Sequence, residues 1–308
     1  VKRPRLWRPV VRPEAGRQLE RHLRAENVGG LAADLAGGLH DPGFPLLLRR
    51  IDQAPIHTGN RVDAFFRGET AFEAMGQAID AAREEVLVES YILKDDSTGH
   101  AFLEAVGRAA ARGVAVRVLA DAWGSFTTRR SFWKEMKRRG VEARLFNPLF
   151  PHLLFQPFRD HRKILAVDRR VAFTGGMNIA DEYGSGVGSS TGPWRDTHVR
   201  VEGPAAWELA VVFSEAWRRA GGRLDFDPLS PPVADGASIL VLDSRPGRGH
   251  EETASVLAAI VGAARQKVWI TNAYFAPRAR AVRILAQAVR RGVDVRLLLP
   301  GRTDVPLV

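Results

Sequence analysis

Apolar residues recur along this 308-residue chain in two ways, three or four positions apart and in short unbroken runs. The first spacing belongs to a helix with one buried face, the second to a strand covered on both sides. Residues 14–40 carry Leu19, Leu23, Leu31 and Leu35 at helical spacing, with Gly29-Gly30 as a break. Asp41-Pro42-Gly43-Phe44-Pro45 reads as a turn-rich linker, and residues 61–66 as a short extended region. Helices are predicted over about 69–82, 99–112, 132–139 and 207–219, and strands over 86–93, 114–119, 164–167 and 171–174. Strands alternating with helices predict an α/β layer structure, a mixed β-sheet flanked by helices.

The pattern repeats. Ala82-Arg83-Glu84-Glu85-Val86-Leu87-Val88 has a counterpart 182 residues on, in Ala264-Arg265-Gln266-Lys267-Val268-Trp269-Ile270. Residues 111–119 (ARGVAVRVL) are echoed by 290–298 (RRGVDVRLL), at an offset of 179. Two echoes in order at nearly equal offset indicate an internal duplication. The Pro- and Asp-rich stretch 225–236 marks the expected boundary, giving three parts. These are a basic, partly helical segment (1–50), a first domain (51–228) and an incomplete second repeat (237–308).

Composition narrows the partners. Forty-five Lys and Arg against 35 Asp and Glu give a formal net charge of +10, which favours polyanions such as nucleic acid or an acidic membrane surface. The excess is carried largely by arginine in an Ala- and Gly-rich chain, a bias that base composition also produces. With no cysteine, disulfides, thiolate metal sites and cysteine nucleophiles are excluded. No apolar run approaches the ~20 residues of a membrane-spanning helix. The basic opening (Lys2, Arg3, Arg5, Arg8, Arg12) has no apolar segment behind it and is not a secretory signal.

The chemistry gathers in residues 161–178. His161 and Lys163 stand at strand spacing, so both side chains leave one face and converge on one point. An imidazole and an ammonium aimed together suit a phosphate, one group to attack or protonate it and the other to hold its charge. Asp168 follows an apolar run (Ile164 to Val167), and six residues later come Gly175, Gly176 and Asn178. The glycines allow close backbone approach, as would a plain strand-end turn. No His, Asp or Glu cluster has metal-ligand spacing. Asp196 and His198 come nearest, and alternation over 196–201 reads as a half-exposed strand. No metal or other cofactor is expected.

This H-x-K-x4-D-x6-G-G-x-N pattern resembles the phospholipase D superfamily, whose active sites use two such motifs about a pseudo-twofold axis. Flanking stretches resemble bacterial cardiolipin synthases lacking amino-terminal transmembrane helices: residues 59–62 (GNRV), 89–92 (ESYI), 201–204 (VEGP), 272–277 (NAYFAP), 291–296 (RGVDVR) and 299–301 (LPG). The resemblance runs from about residue 59 onward. It implies a phospholipase D-like fold and transfer of a phosphatidyl group through a phosphohistidine at His161. Lys163 would hold a non-bridging oxygen and Asn178 would donate to the phosphate, while Asp168 would fix an imidazole's tautomer and orientation. The implied substrate is phosphatidylglycerol, met by peripheral contact with the cytoplasmic side of a bacterial membrane. Apolar residues before the motif (Leu145, Phe146, Phe150, Leu153, Leu154, Phe155, Phe158) and basic ones (Arg129, Arg130, Lys134, Lys137, Arg138, Arg139) are candidates for that contact; a core-packed loop and a solvated helix face remain the alternatives.

His161 lies 49 residues after Arg112, and the same spacing from Arg291 places a second motif near position 340. The 308 residues hold one motif, so half an active site is expected here, completed by a homodimer or a carboxyl-terminal half, with little turnover by this chain alone. Competing functions are lipid hydrolysis or nuclease chemistry within the same superfamily, and an inactive anionic-lipid scaffold. Duplication argues against the simple nucleases, which resemble single-motif homodimers about half this length, so nucleic acid is the disfavoured partner.

Overall fold

Val86 and Val88 point into one apolar layer and Leu87 into another, and the same division holds for Leu165 and Val167 against Ile164 and Ala166. Strands buried on both faces need helices on both sides. The computed structural model describes residues 25–52, 54–148, 159–185, 192–224, 232, 235–243 and 251–301. Two compact units result, Ile56–Asp243 and the chain on either side of it.

In the larger unit the elements follow as β1 (Ile56–Phe65), α1 (Gly68–Ala81), β2 (Glu85–Ser90), α2 (Ser97–Ala111), β3 (Ala115–Asp121), α3 (Arg130–Arg138) and β4 (Glu142–Phe146). Then come β5 (Lys163–Val167), β6 (Val171–Gly175), β7 (His198–Glu202), α4 (Pro204–Arg219) and β8 (Ala237–Leu240). The eight strands form one mixed sheet in the order β4-β3-β2-β5-β6-β7-β1-β8. β2, β3 and β4 are parallel; β5 joins β2 antiparallel and the remaining pairs are antiparallel. Ile79 of α1, Leu103 and Val106 of α2, and Phe132 and Met136 of α3 pack on one face. Leu209, Phe213 and Trp217 of α4 cover the other. Asp96 starts α2 by accepting from the Gly99 amide at 2.9 Å, and Pro204 occupies the first turn of α4, where its missing N–H costs nothing.

Two strands lay beyond the sequence pattern. β4 (EARLF) is an edge strand whose Arg144 reaches over Trp217 of α4, and β8 closes the far edge from the stretch assigned to the second repeat. Nor is the Asp41–Pro45 segment only a linker. Asp41 accepts from the Gly43 amide at 2.8 Å and a helix runs from Gly43 to Asp52.

The smaller unit contains that helix, a second over Ala25–Ala33, helices Glu251–Ala263 and Ala279–Arg290, and parallel strands Lys267–Thr271 and Asp294–Leu298. The duplication is visible in the pairing. Glu85 faces Ala115 in the larger unit and Lys267 faces Asp294 here, equivalent positions in the two copies. Arg112 donates to the Ile79 carbonyl, and its counterpart Arg291 donates to the Val261 carbonyl. Gly29-Gly30 does not break the first helix. A Cβ on Gly262 would lie 2.2 Å from the Gly29 carbonyl oxygen, so these two helices touch backbone to backbone. Leu19, Leu23 and the basic opening fall outside the described residues, as does 149–158 with Phe150, Leu153, Leu154, Phe155 and Phe158.

Gly262→Val is expected to force those helices apart and destabilise the protein by about 1–3 kcal/mol. Gly30→Ala has nothing within 4 Å of the added carbon and is expected to stabilise by about 0.5–1 kcal/mol. Urea melts of both variants check the pair.

Candidate active site

The carboxyl ends of β2, β3 and β4 and the beginning of antiparallel β5 meet at one edge of the sheet. Lys163 opens β5 opposite Ser90. Gly175 ends β6 one residue past the Thr174–Ile164 pair and faces His198, the first residue of β7. Lys163, Gly175 and His198 therefore end three adjacent strands side by side. At Gly175 a Cβ would come within 2.9 Å of His198 Nδ1, and at Gly176 within 2.2 Å of an Asp196 carboxylate oxygen. The glycines let the imidazole and the carboxylate close on this corner.

Lys163 is only 6% exposed. Its Nζ donates to the His161 carbonyl at 2.8 Å and lies 5.3 Å from the centre of the Tyr91 ring. Among the described residues no carboxylate approaches it within 4 Å. Burial lowers its pKa to about 8, against the pull of Asp160, Asp196 and Asp121. His161 reaches solvent, with its ring tilted against Tyr91 at 4.6 Å between centroids. Partial withdrawal from water and the Lys163 charge lower its pKa, and Asp160 and Asp121 oppose them. At neutral pH the imidazole is thus mainly uncharged, as a nucleophile must be. His198, at the start of that strand, is 1% exposed, and neither ring nitrogen has a partner among the described residues. Burial, then Lys163, brings its pKa down to about 4, so it adds no second cation.

Carboxylates brace the corner from below. Asp121, at the end of β3, accepts from the amides of Trp123, Gly124 and Asp160 at 2.9–3.1 Å. On the face away from Lys163, Arg162 ion-pairs with Glu89 at 3.2 Å and with Asp243. Burial and the neighbouring Asp160 push the Glu89 pKa well up, offset in part by Arg162. Tyr91, Asp121, Asp160, Asp196 and His198 were not singled out as site residues by sequence. Asp160 adjoins His161 in the chain, whereas only strand order brings Tyr91 and Asp121 to His161, and Asp196 and His198 to Lys163.

The remaining motif residues face other tasks. Asp168 lies at the far end of β5, roughly 20 Å along the strand from His161 at ~3.3 Å per residue. It orients no imidazole: its carboxylate accepts from the backbone amides of Arg83, Glu84 and Glu85 at 2.8–2.9 Å. Asn178 is buried; its Oδ1 accepts from the Ile92 amide and its Nδ2 donates to the Tyr183 hydroxyl, both at 3.0 Å. It thereby holds the segment that carries Tyr91.

Known proteins similar to this chain share one family description. The family model described as "Cardiolipin synthase, PLD-like domain" matches residues 75–185 and 257–308. The chain is 38% identical over 301 residues to cardiolipin synthase A of Pseudomonas aeruginosa (strain LESB58), covering 97% of this chain and 57% of that protein. It is 35% identical over 251 residues to cardiolipin synthase 1 of Bacillus anthracis, covering 77% and 49%. The chain thus spans about half the length of the curated relatives it matches. A crystal structure of phosphatidylserine synthase from Haemophilus influenzae superposes with a TM-score of 0.59 at 14% identity, over 82% of this chain and 65% of that one, a likeness of fold.

Two predictions follow from the site. Asp168→Ala leaves the amides at the start of β2 without their acceptor and is expected to cost about 1–3 kcal/mol in a urea melt, while inorganic phosphate binds the folded protein unchanged in calorimetry. Phosphate affinity is expected to fall about tenfold per pH unit above pH ~8, as the Lys163 ammonium loses its proton, and to hold in Lys163→Arg. The sign for stability is opposite. Because the fold disfavours the lysine proton, stability rises with pH between about 8 and the ordinary value of 10.5.

Proposed function

For a chain that belongs to the cardiolipin synthase phospholipase D-like domain family, we propose phosphatidyl transfer through a phosphohistidine, with phosphatidylglycerol as substrate and cardiolipin as product. One observation carries the reading. A buried lysine ammonium, with a backbone carbonyl as its hydrogen-bond partner, stands beside an imidazole whose pKa burial and that charge lower. Among the described residues that cation has no carboxylate within 4 Å, and a phosphodiester supplies the anion its burial calls for.

In the first step the lone pair of a His161 ring nitrogen attacks phosphorus and the bond to the departing glycerol oxygen breaks. A proton passes to that oxygen, from a group that the superfamily resemblance assigns to the histidine of a second motif. In the second step the hydroxyl of another phosphatidylglycerol attacks, its proton passes back to that second-motif histidine, and the phosphorus–nitrogen bond breaks, returning its electron pair to His161 and releasing cardiolipin. Lys163 binds a non-bridging oxygen and stabilises the charge that grows on it in both transition states. Gly175 and Gly176 permit close approach, and Asn178 holds the Tyr91 segment against which His161 rests. Asp168 supports the far end of β5. The protein meets its substrate as a peripheral protein of the bacterial membrane, on the cytoplasmic side. None of the described helices is long and apolar enough to cross a membrane.

Mixing the chain with phosphatidylglycerol vesicles, quenching, and measuring intact mass is expected to reveal a phosphatidyl adduct on His161. His161→Ala abolishes it, and Lys163→Met slows its formation by about 10²–10³-fold. A folded wild-type protein that never forms the adduct, or that cleaves single-stranded DNA instead, refutes the reading.

A further inference from the structure

The turn between β3 and α3 holds two aromatic rings out in water. Trp123 is 50% and Phe126 67% exposed, with centroids 6.1 Å apart. Their position is fixed by the backbone frame. Asp121 anchors the Trp123 and Gly124 amides, and the Ser125 hydroxyl donates to the Tyr91 carbonyl while accepting from the Leu93 amide. The Arg159 guanidinium lies 5.3 Å over the Trp123 ring. Rings kept exposed by a rigid turn mark an apolar partner better than rings exposed by a loose one.

The helix that follows supplies charge. Arg130, Lys134 and Lys137 fall at i, i+4 and i+7 on one face of α3. None of them forms an ion pair among the described residues, whereas Arg129 pairs with Asp95, and Arg138 and Arg139 with Glu135. Across from the row runs the open edge of β4. Between them lies a cleft of about 680 Å³, with the three cations and Trp133 on one wall and Glu142, Ala143, Arg144 and Leu145 of β4 on the other, where Arg144 neutralises Glu142. A row of cations on the helix that directly follows two projecting rings matches a phosphate headgroup layer with acyl chains beneath it.

We propose that this surface, the Trp123–Phe126 turn with the Arg130, Lys134 and Lys137 row, seats the protein on an anionic phospholipid bilayer. The rings enter the boundary between headgroups and acyl chains, and the three cations sit on lipid phosphates. Nucleic acid satisfies the cations equally but offers no apolar phase for the rings. The seating also presents the active site. The turn is tied to Tyr91, whose ring touches His161, and the Asp121 carboxylate that holds the turn holds the Asp160 amide as well. This inference rests on the reading that the substrate is an anionic phospholipid.

Because the sequence has no cysteine, Thr127→Cys in the turn and Glu84→Cys before β2, at the opposite end of the sheet, each accept one environment-sensitive fluorophore. Vesicles of equimolar phosphatidylglycerol and phosphatidylcholine are expected to blue-shift and brighten the label at 127 and leave that at 84 unchanged; pure phosphatidylcholine does neither. Combining Arg130→Glu, Lys134→Glu and Lys137→Glu is expected to weaken vesicle binding about 100-fold or more, at about 1 kcal/mol per cation. Trp123→Ala with Phe126→Ala is expected to weaken it about tenfold or more. Inorganic phosphate affinity, which reads Lys163, stays at the wild-type level in both. A response at 84 instead of 127, wild-type vesicle binding by the charge variant, or an equal response at 127 to a single-stranded oligonucleotide overturns the proposal. Vesicle binding through position 127 without any His161 adduct supports the seating and counts against phosphatidyl transfer alone.

Discussion

An ammonium group withdrawn from water at the edge of a sheet is the constraint around which this site is arranged. Burial alone disfavours the charged form of Lys163, and no described carboxylate comes close enough to neutralise it. Asp160, Asp196 and Asp121 act from a distance, which keeps the charge without satisfying it. A direct ion pair would have stabilised the lysine and closed the position to an incoming anion. The uncharged state of His198 belongs to the same balance, since a second cation beside Lys163 would raise the cost further.

Everything else at this edge keeps that lysine and His161 in place. Each face of β5 is anchored separately: Leu165 and Val167 enter the layer under α1, α2 and α3, while Ile164 and Ala166 enter the layer under α4. Arg162, between the two reactive residues, turns to the opposite face and is held by Glu89 and Asp243. A residue period of two thus sends His161 and Lys163 one way and their anchor the other. Asp168 secures the far end of the same strand through backbone amides, which explains its place in the motif without a role beside the imidazole.

The duplication gives the architecture its economy. The same parallel strand pair, in the same register and with an arginine bridging to the same carbonyl position, is built twice. The family match over residues 75–185 and 257–308 takes in both copies of this strand pair.

Much of this was legible in the chain. The reactive pair follows from strand spacing, the layers from runs such as Val86 to Val88, and the repeat from two echoes at nearly equal offset, because these are local properties of sequence. What the sequence left open depended on distance in the fold. Asp168 looked like a catalytic carboxylate until the strand's length placed it far from His161. Gly29-Gly30 reads as a break along the chain, and only the close approach of Gly262 accounts for small residues there. His198 fits an alternating strand equally well exposed or buried, and only its place opposite Gly175 decided the matter. Tyr91 and Asp121 carry no signal of their own, since a strand end becomes part of a site only when strand order sets it beside another. Spacing along the chain determined which groups share a face; the order of strands in the sheet decided which faces meet.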